Sequence, residues 1–249
     1  MPAVFVHGVP ETPAVWDALR EHLHRDDVIA LQLPGFGCPR PEGFAATKEA
    51  YVAWLVRELT EIAAHSPIDV VGHDWGGGFV LRLVSTRADL VRSWVTDIAG
   101  LADVDFEWHA VAKIWQTPGQ GEEFFTATFA QSAQERGALY AAGFNVPVDA
   151  AVAMNRAMDD TMAGCILDLY RSAVDVGLEW APQLQDIPKP GCVLLARDDP
   201  LLSPDLARRA TKRAGASLEE LDGLSHFWML QDPRRSAAAI EAFWATLSF

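Results

Sequence analysis

The run Val70-Val71-Gly72-His73-Asp74-Trp75-Gly76-Gly77-Gly78 leaves this chain few ways to fold. A β-branched pair enters glycines that flank one reactive side chain, and a helix-compatible stretch follows. That order describes a sharp strand-to-helix turn. Glycine is needed at 72 and 76 because a side chain at either would collide as the chain reverses around a strained residue. The residue at the apex is an aspartate. Its carboxylate is anionic without help from a base, so it suits displacement at a saturated carbon and would leave an alkyl ester of Asp74. Hydrolysing that ester needs a base and a place for an oxyanion.

Around this turn, short β-rich runs alternate with helical patterns. Strands are expected near Val4–Val6, Val28–Leu31, Asp69–Val71, Ser93–Ile98, Cys192–Ala196 and Ser217–Leu221. Helices are expected over Pro13–His24, Lys48–Ala64, Gly77–Ala88, Pro204–Ala214 and Pro233–Leu247. Thr47 is placed to cap the second, in which Tyr51, Leu55, Leu59 and Ile62 recur at helical spacing. Pro13 and Pro204 suit a first helical turn. The pattern predicts an α/β fold with a mostly parallel central sheet of about six strands flanked by helices. From Leu101 to Ala181 no strand run occurs, while helical patches recur at Phe106–Trp115, Glu122–Tyr140, Val148–Met162 and Ile166–Val176. We expect residues 101–181 to be an inserted helical lid, or cap, and 1–100 with 182–249 to be the core. A lid leaving the sheet there would overhang the strands' carboxyl ends, where ligands bind in such sheets.

Composition narrows the partners. The formal net charge of −14 argues against nucleic acid or an anionic membrane as a partner. No long apolar span occurs and the N-terminal stretch is too short for a signal sequence, so a cytoplasmic location is expected. The three cysteines, Cys38, Cys165 and Cys192, are far apart and odd in number, which favours neither a disulfide framework nor a metal site. No cofactor motif is found. Gly76-Gly77-Gly78 lacks the lysine of a phosphate loop, and Arg208, Arg209, Lys212 and Arg213 read as a solvated helix face. Oligomeric state is not legible.

Three further stretches place polar groups after apolar strands: His7-Gly8-Val9-Pro10, Ala196-Arg197-Asp198-Asp199-Pro200 and Leu224-Ser225-His226-Phe227-Trp228. Together with the turn at Asp74 they resemble the α/β-hydrolase fold, specifically its aspartate-nucleophile branch of epoxide hydrolases and haloalkane dehalogenases. The resemblance covers nearly the whole chain, and the HGxP and GHDWGG signatures look most like the epoxide hydrolases. It implies Asp74 as nucleophile, His226 as the base that activates water, and Asp199 as the acid that orients it. Ala196 departs from the family's glycine at the start of that acid motif, and Asp198 and Asp97 are alternative acids. The backbone N–H groups of Val9 and Trp75 are the implied oxyanion site, with Pro10 as a cis-proline. His7 and His73 read as structural, bonding to the loops behind the turn.

The two chemistries differ in the leaving group. An epoxide oxygen needs a proton or hydrogen-bond donor, in the family usually from lid tyrosines; a halide needs only N–H donors. Tyr170, in Asp168-Leu169-Tyr170-Arg171-Ser172, matches the late-lid tyrosine. The early-lid tyrosine is missing, and Trp108, His109 and Trp115 stand in its stretch as pocket residues and second-donor candidates. Tyr140 is a further candidate donor, although a core or surface role is the one expected for it. The resemblance therefore implies a cofactor-free, metal-free hydrolase that opens a small apolar epoxide to a vicinal diol. The alternatives are a haloalkane dehalogenase acting through the same ester, and a non-catalytic ligand receptor on the same fold.

Overall fold

The computed structural model describes residues 1–247. Six strands form one sheet: β1 (Ala3–Val6), β2 (Val28–Leu31), β3 (Ile68–Gly72), β4 (Val91–Thr96), β5 (Gly191–Ala196) and β6 (Ser217–Leu221). Their order across the sheet is β2-β1-β3-β4-β5-β6, and every neighbouring pair is parallel. The chain winds outward from β1 to β2, crosses back over β1 to β3, and then winds the other way. The winding direction thus reverses between β1 and β3, and at such a switch point the loops leaving the carboxyl ends diverge and open a crevice. The loops after β1 and β3 carry Val9 and Asp74.

Side-chain alternation divides the core between the two faces. Val4, Val6, Val70, Trp94 and Val193 pack on one side with α2 (Lys48–Ala63), α3 (Asp74–Arg87) and α10 (Pro204–Ala214). Phe5, Val71, Val95, Cys192 and Leu194 pack on the other with α1 (Asp17–Arg20), α11 (Trp228–Gln231) and α12 (Pro233–Ala245). The expected capping of α2 is present, since the Thr47 hydroxyl accepts the Ala50 N–H at 3.2 Å. Pro13 opens a short 3₁₀ turn rather than a long helix: Pro13–Trp16 is 3₁₀ and α1 ends at Arg20. β4 stops at Thr96, two residues before the sequence pattern suggests, because Asp97 leaves the ladder to bond behind the turn.

Between β4 and β5 the chain forms α4 (Ala110–Gln116), α5 (Gln120–Phe129), α6 (Ala133–Phe144), α7 (Val148–Ala157), α8 (Asp160–Ser172) and α9 (Val176–Trp180), with no strand among the described residues. The stretch Glu122–Tyr140, expected as one helix, is broken at Ser132. There the hydroxyl takes the Glu135 N–H and the Glu135 carboxylate returns to the Ser132 N–H. A second break falls inside Val148–Met162, where Asp159 caps α8 through the Met162 N–H. The segment splits in its packing. Residues of α4, α5, α8 and α9 join the core cluster that contains α2 and α3, whereas Ala141, Ala151 and Met154 of the α6–α7 pair join the one containing α11 and α12. The gap between these two groups lies over the switch point.

Backbone crowding underlies the turn itself. A Cβ on Gly76 would stand 2.3 Å from the Val6 carbonyl oxygen, and one on Gly72 2.5 Å from the Gly76 oxygen. Both neighbours are backbone and have nowhere to move. Gly164, on α8, has open space where its Cβ would be. Gly76→Ala should therefore cost several kcal/mol of stability, whereas Gly164→Ala should gain about 0.5–1 kcal/mol. Urea unfolding of the two variants checks the pair, and equal midpoints would overturn the steric account.

Candidate active site

Asp74 is the first residue of α3 and sits at φ +49°, a left-handed conformation that side-chain-bearing residues rarely adopt. The strain turns its carboxyl group up from the sheet. Oδ1 accepts the Val9 N–H at 2.8 Å, and the Trp75 N–H also favours the charged form. Oδ2 faces His226, whose Nε2 is 3.8 Å away. Burial raises the Asp74 pKa to about 6, against the opposing pull of His226 and His73. The Val9–Pro10 peptide is cis.

His226 follows β6 and is held from behind. Its Nδ1 lies 2.8 Å from Asp199 Oδ2, and the other Asp199 oxygen accepts the Leu201 N–H at 2.8 Å. Burial lowers the His226 pKa, but the charge and hydrogen bond of Asp199 outweigh it, and the net shift is upward. Asp198 is exposed, so of the adjacent pair it is Asp199 that meets the imidazole. Asp97, the third acid considered, bonds elsewhere. Its Oδ2 takes His73 Nδ1 at 2.5 Å and the Trp228 indole N–H at 2.7 Å, and its Oδ1 takes the Asp74 N–H at 3.0 Å.

Sequence reasoning missed what lies behind the turn. Glu11 is fully buried, its Oε2 accepts the Gly8 N–H at 2.9 Å, and its Oε1 lies 3.0 Å from His73 Nε2. That ion pair is too bent to count as a hydrogen bond. His73 thus stands between two buried carboxylates. Burial opposes its charge, but Glu11 and Asp97 together raise its pKa well above the ordinary value, and His73 carries the charge of both pairs. The same imidazolium outweighs burial at Glu11 and at Asp97 and lowers both pKa values. Glu11 follows directly on the HGxP signature, and only that adjacency hinted at it. His7 is the opposite case. Burial lowers its pKa to about 4, so it is neutral, with Nδ1 donating to the Gly8 carbonyl at 2.8 Å and Nε2 accepting the Leu33 N–H at 3.1 Å. Glu11, His73 and His226 bring ligand atoms within 4.8 Å of one another. Since both His73 nitrogens already face carboxylates, a proton meets that electrostatic need without an ion.

Asp74 and His226 open into a cavity of about 420 Å³ between the two helical groups. Tyr170, on α8, lines it and stands edge-on to Trp75, ring centroids 5.6 Å apart. Burial and the Asp74 charge raise its pKa well above the ordinary tyrosine value, so its hydroxyl stays protonated. The Trp75 indole is near enough to temper that shift but falls short of a hydrogen bond, and its N–H is buried without a partner. Tyr140, on α6, lines the opposite wall, and burial together with Glu11 and Asp74 likewise raises its pKa. Its place in the cavity differs from the core or surface position expected for it.

The early-lid residues separate. Trp108 does not line the cavity, and its indole N–H is spent on the Ala173 carbonyl at 2.8 Å, which removes it as a donor. His109 does line it. Its Nδ1 accepts the Ala112 N–H at 3.2 Å as the cap of α4, which puts the proton of the neutral ring on Nε2. Burial, reinforced by His226, lowers its pKa and keeps it neutral. Trp115 lines the cavity too, and its indole N–H is buried without a partner.

Residues 3–239 match the family described as "Alpha/beta hydrolase family". The chain belongs to that family. Lipase LipV of Mycobacterium tuberculosis is 33% identical over 90 residues, 36% of this chain, and the match spans 34% of the lipase's length. Among solved structures, the epoxide hydrolase VrEH1 from Vigna radiata superposes with a TM-score of 0.77 at 16% identity, covering 99% of this chain and 92% of that one. The haloalkane dehalogenase DbeA from Bradyrhizobium elkani gives 0.74 at 20%, covering 99% and 91%. At such identities the likeness is one of fold. This chain is an α/β hydrolase, and no helix among its described residues is long and apolar enough to cross a membrane.

The buried charges behind Asp74 make a direct prediction. His73→Leu leaves Glu11 and Asp97 buried without their cation, and should cost roughly 3–5 kcal/mol. Denaturant unfolding near pH 7 measures it; a loss below 1 kcal/mol would show that His73 carries no charge.

Proposed function

We propose that this hydrolase opens an apolar epoxide to a vicinal diol through a covalent alkyl ester at Asp74. The observation that carries the reading is the division of labour between the two Asp74 oxygens. Oδ1 rests on the Val9 N–H while Oδ2 is free toward the cavity and His226. Oδ2 attacks a ring carbon, the carbon–oxygen bond breaks, and the departing oxygen takes a proton from a tyrosine hydroxyl. Tyr170 is the first donor. Tyr140 and His109 Nε2 are the available second donors, and the elevated tyrosine pKa values keep those protons in place at neutral pH.

In the second step neutral His226 takes a proton from water through Nε2, with Nδ1–H held on Asp199. The resulting hydroxide adds to the ester carbon. Negative charge then develops on Oδ1, already seated on the Val9 N–H and beside that of Trp75. Collapse expels the diol oxygen, which takes its proton from His226, and the proton left on the regenerated Asp74 carboxyl returns to the tyrosinate. The helical segment 101–181 acts as the cap, excluding water from the cavity while the ester forms.

A second reading has its own support. The buried, unpartnered indole N–H of Trp115, which lines the cavity, is a donor suited to a halide ion, and a haloalkane dehalogenase would use the same Asp74 and His226. Against it, the raised tyrosines supply protons that a departing halide does not need. A paired panel of epoxides and bromoalkanes separates the two, by diol formation or by halide release.

His226→Gln should still alkylate but not hydrolyse, trapping the ester as a mass increase on the intact protein, and Asp74→Asn should do neither. Steady turnover by both would refute the mechanism. The pH dependence follows from the two pKa values. Alkylation needs ionised Asp74 and fails below about pH 6. Ester hydrolysis needs neutral His226, whose pKa lies above its ordinary 6.5, so that step fails first as pH falls. Rapid mixing just above pH 6 should therefore show a burst of ester that shrinks toward pH 9; a burst independent of pH would overturn this ordering.

A further inference from the structure

The helix that carries Tyr140 is tied to the loop that carries His226 by one amide side chain. α6 ends at Phe144, and Asn145 follows it in a left-handed conformation. A helix leaves the carbonyls of its last turn without partners inside the helix. Those of Phe144 and Asn145 are both taken by Gln231 of α11, whose Nε2 donates to them at 2.9 and 3.1 Å. The other end of the same amide faces the base. Its Oε1 accepts the N–H of Ser225, the residue before His226, at 2.6 Å. Turning the amide over would set N–H against N–H and oxygen against two carbonyls, so it can face only this way.

Around this amide the two elements meet through rings. Phe144 lies 5.8 Å from His226 and 5.4 Å from Phe227, and Tyr140 lies 4.8 Å from Phe144 and 5.6 Å from Phe227. Ring contacts resist separation, whereas the directional bonds of the amide fix where along the loop α6 ends. That matters for Tyr140. Its phenol lines the cavity with Asp74, and the charge of Asp74 bears on it as on Tyr170. Its ring packs on Phe144 and Phe227, so the placing of α6 decides where its O–H stands.

We propose that Gln231 is a positioning residue that registers α6 on the base loop and so sets Tyr140, opposite Tyr170, as the second hydrogen-bond donor to the departing epoxide oxygen. When Asp74 Oδ2 bonds to the ring carbon, the electrons of the breaking carbon–oxygen bond stay on that oxygen. It takes the Tyr170 proton while Tyr140 donates a hydrogen bond to it. The N–H end of Gln231 thus serves formation of the ester through α6. Its carbonyl end serves hydrolysis by steadying the backbone that leads into His226. The task given to Tyr140 rests on the epoxide reading; the tie between α6 and the base loop does not.

Substitutions at the two ends of the tie test it. Gln231→Glu keeps an oxygen for the Ser225 N–H but turns a second oxygen on the α6 carbonyls in place of the donors. At pH 8 it should speed amide hydrogen exchange across α6 and α7 about tenfold and leave α8 unchanged. Styrene oxide in rapid-quench mixing, read by intact-protein mass, resolves the two chemical steps. Gln231→Glu should slow ester formation about tenfold while ester hydrolysis holds its wild-type rate. Tyr140→Phe should slow ester formation on the order of a hundredfold. Adding Gln231→Glu to it should slow that step no further, because both changes act on one phenol. Gln231→Met, neutral and of similar length, should slow both steps, and it decides the matter if Gln231→Glu fails to fold. Effects that multiply in the double variant, a wild-type rate in Tyr140→Phe, or wild-type rates in Gln231→Met overturn the inference and leave the epoxide reading standing. A wild-type protein inert toward epoxides sinks that reading and the task of Tyr140 with it, and unchanged exchange in Gln231→Glu then removes the tie as well.

Discussion

The whole site depends on a backbone that has no room to relax. Asp74 holds a left-handed conformation costing about 1–2 kcal/mol, and strain of this kind persists only where the surroundings leave no alternative. Here β1 and the start of α3 approach until nothing larger than hydrogen fits at residue 76. The Asp74 N–H is claimed by Asp97 and one of its side-chain oxygens by the Val9 N–H. Three elements therefore fix one carboxyl group, and its free oxygen has a single direction in which to point. Placement at the reversal of strand order supplies the open space in that direction.

Fixing the turn this way buries charge, and the molecule balances it locally. Four carboxylates, Glu11, Asp74, Asp97 and Asp199, lie within reach of two titrating imidazoles. His73 stands between two of the four and holds them ionised. Its charge also helps limit the rise in the Asp74 pKa to a value near 6, so the group remains an anion at neutral pH despite burial. On His226 the same charge acts downward, against Asp199. One buried imidazolium thus pushes Asp74 toward its ionised form and His226 toward its neutral form, the two states that successive steps of an ester mechanism require.

Most of this architecture could be read from residue order. Thr47, Pro204 and the β-branched runs marked their elements because each signal is local, and the parallel sheet followed from the alternation of strands and helices. The ends of elements were less legible where a tertiary bond decides them. β4 stops early because Asp97 is drawn toward His73, a partner 24 residues away. The break at Ser132 was local and readable, since Ser132 and Glu135 carry the reciprocal cap. The continuous helical periodicity on either side hid it. Asp74, Asp199 and His226 were visible because each follows a strand. Glu11 was not, because it acts through a histidine distant in sequence, and Tyr140 ranked only as a lesser candidate because its place depends on packing against Phe227, far along the chain.

The split of the helical segment into two packing groups explains the mixture of donors. α8 brings Tyr170 from one side and α6 brings Tyr140 from the other, so two phenols face one carboxylate although Phe106–Gly119 contains no tyrosine. Trp108 was removed from the set by Ala173, which satisfied its N–H and made it a strut between α8 and the loop preceding α4. The unpartnered Trp115 indole can hold an anion but cannot give it a proton. A phenol, which keeps its O–H at neutral pH, can do both. An oxygen leaving as an alkoxide therefore finds at this site what a halide would not use, and that difference in proton supply, more than the shape of the cavity, is the physical ground for preferring the epoxide.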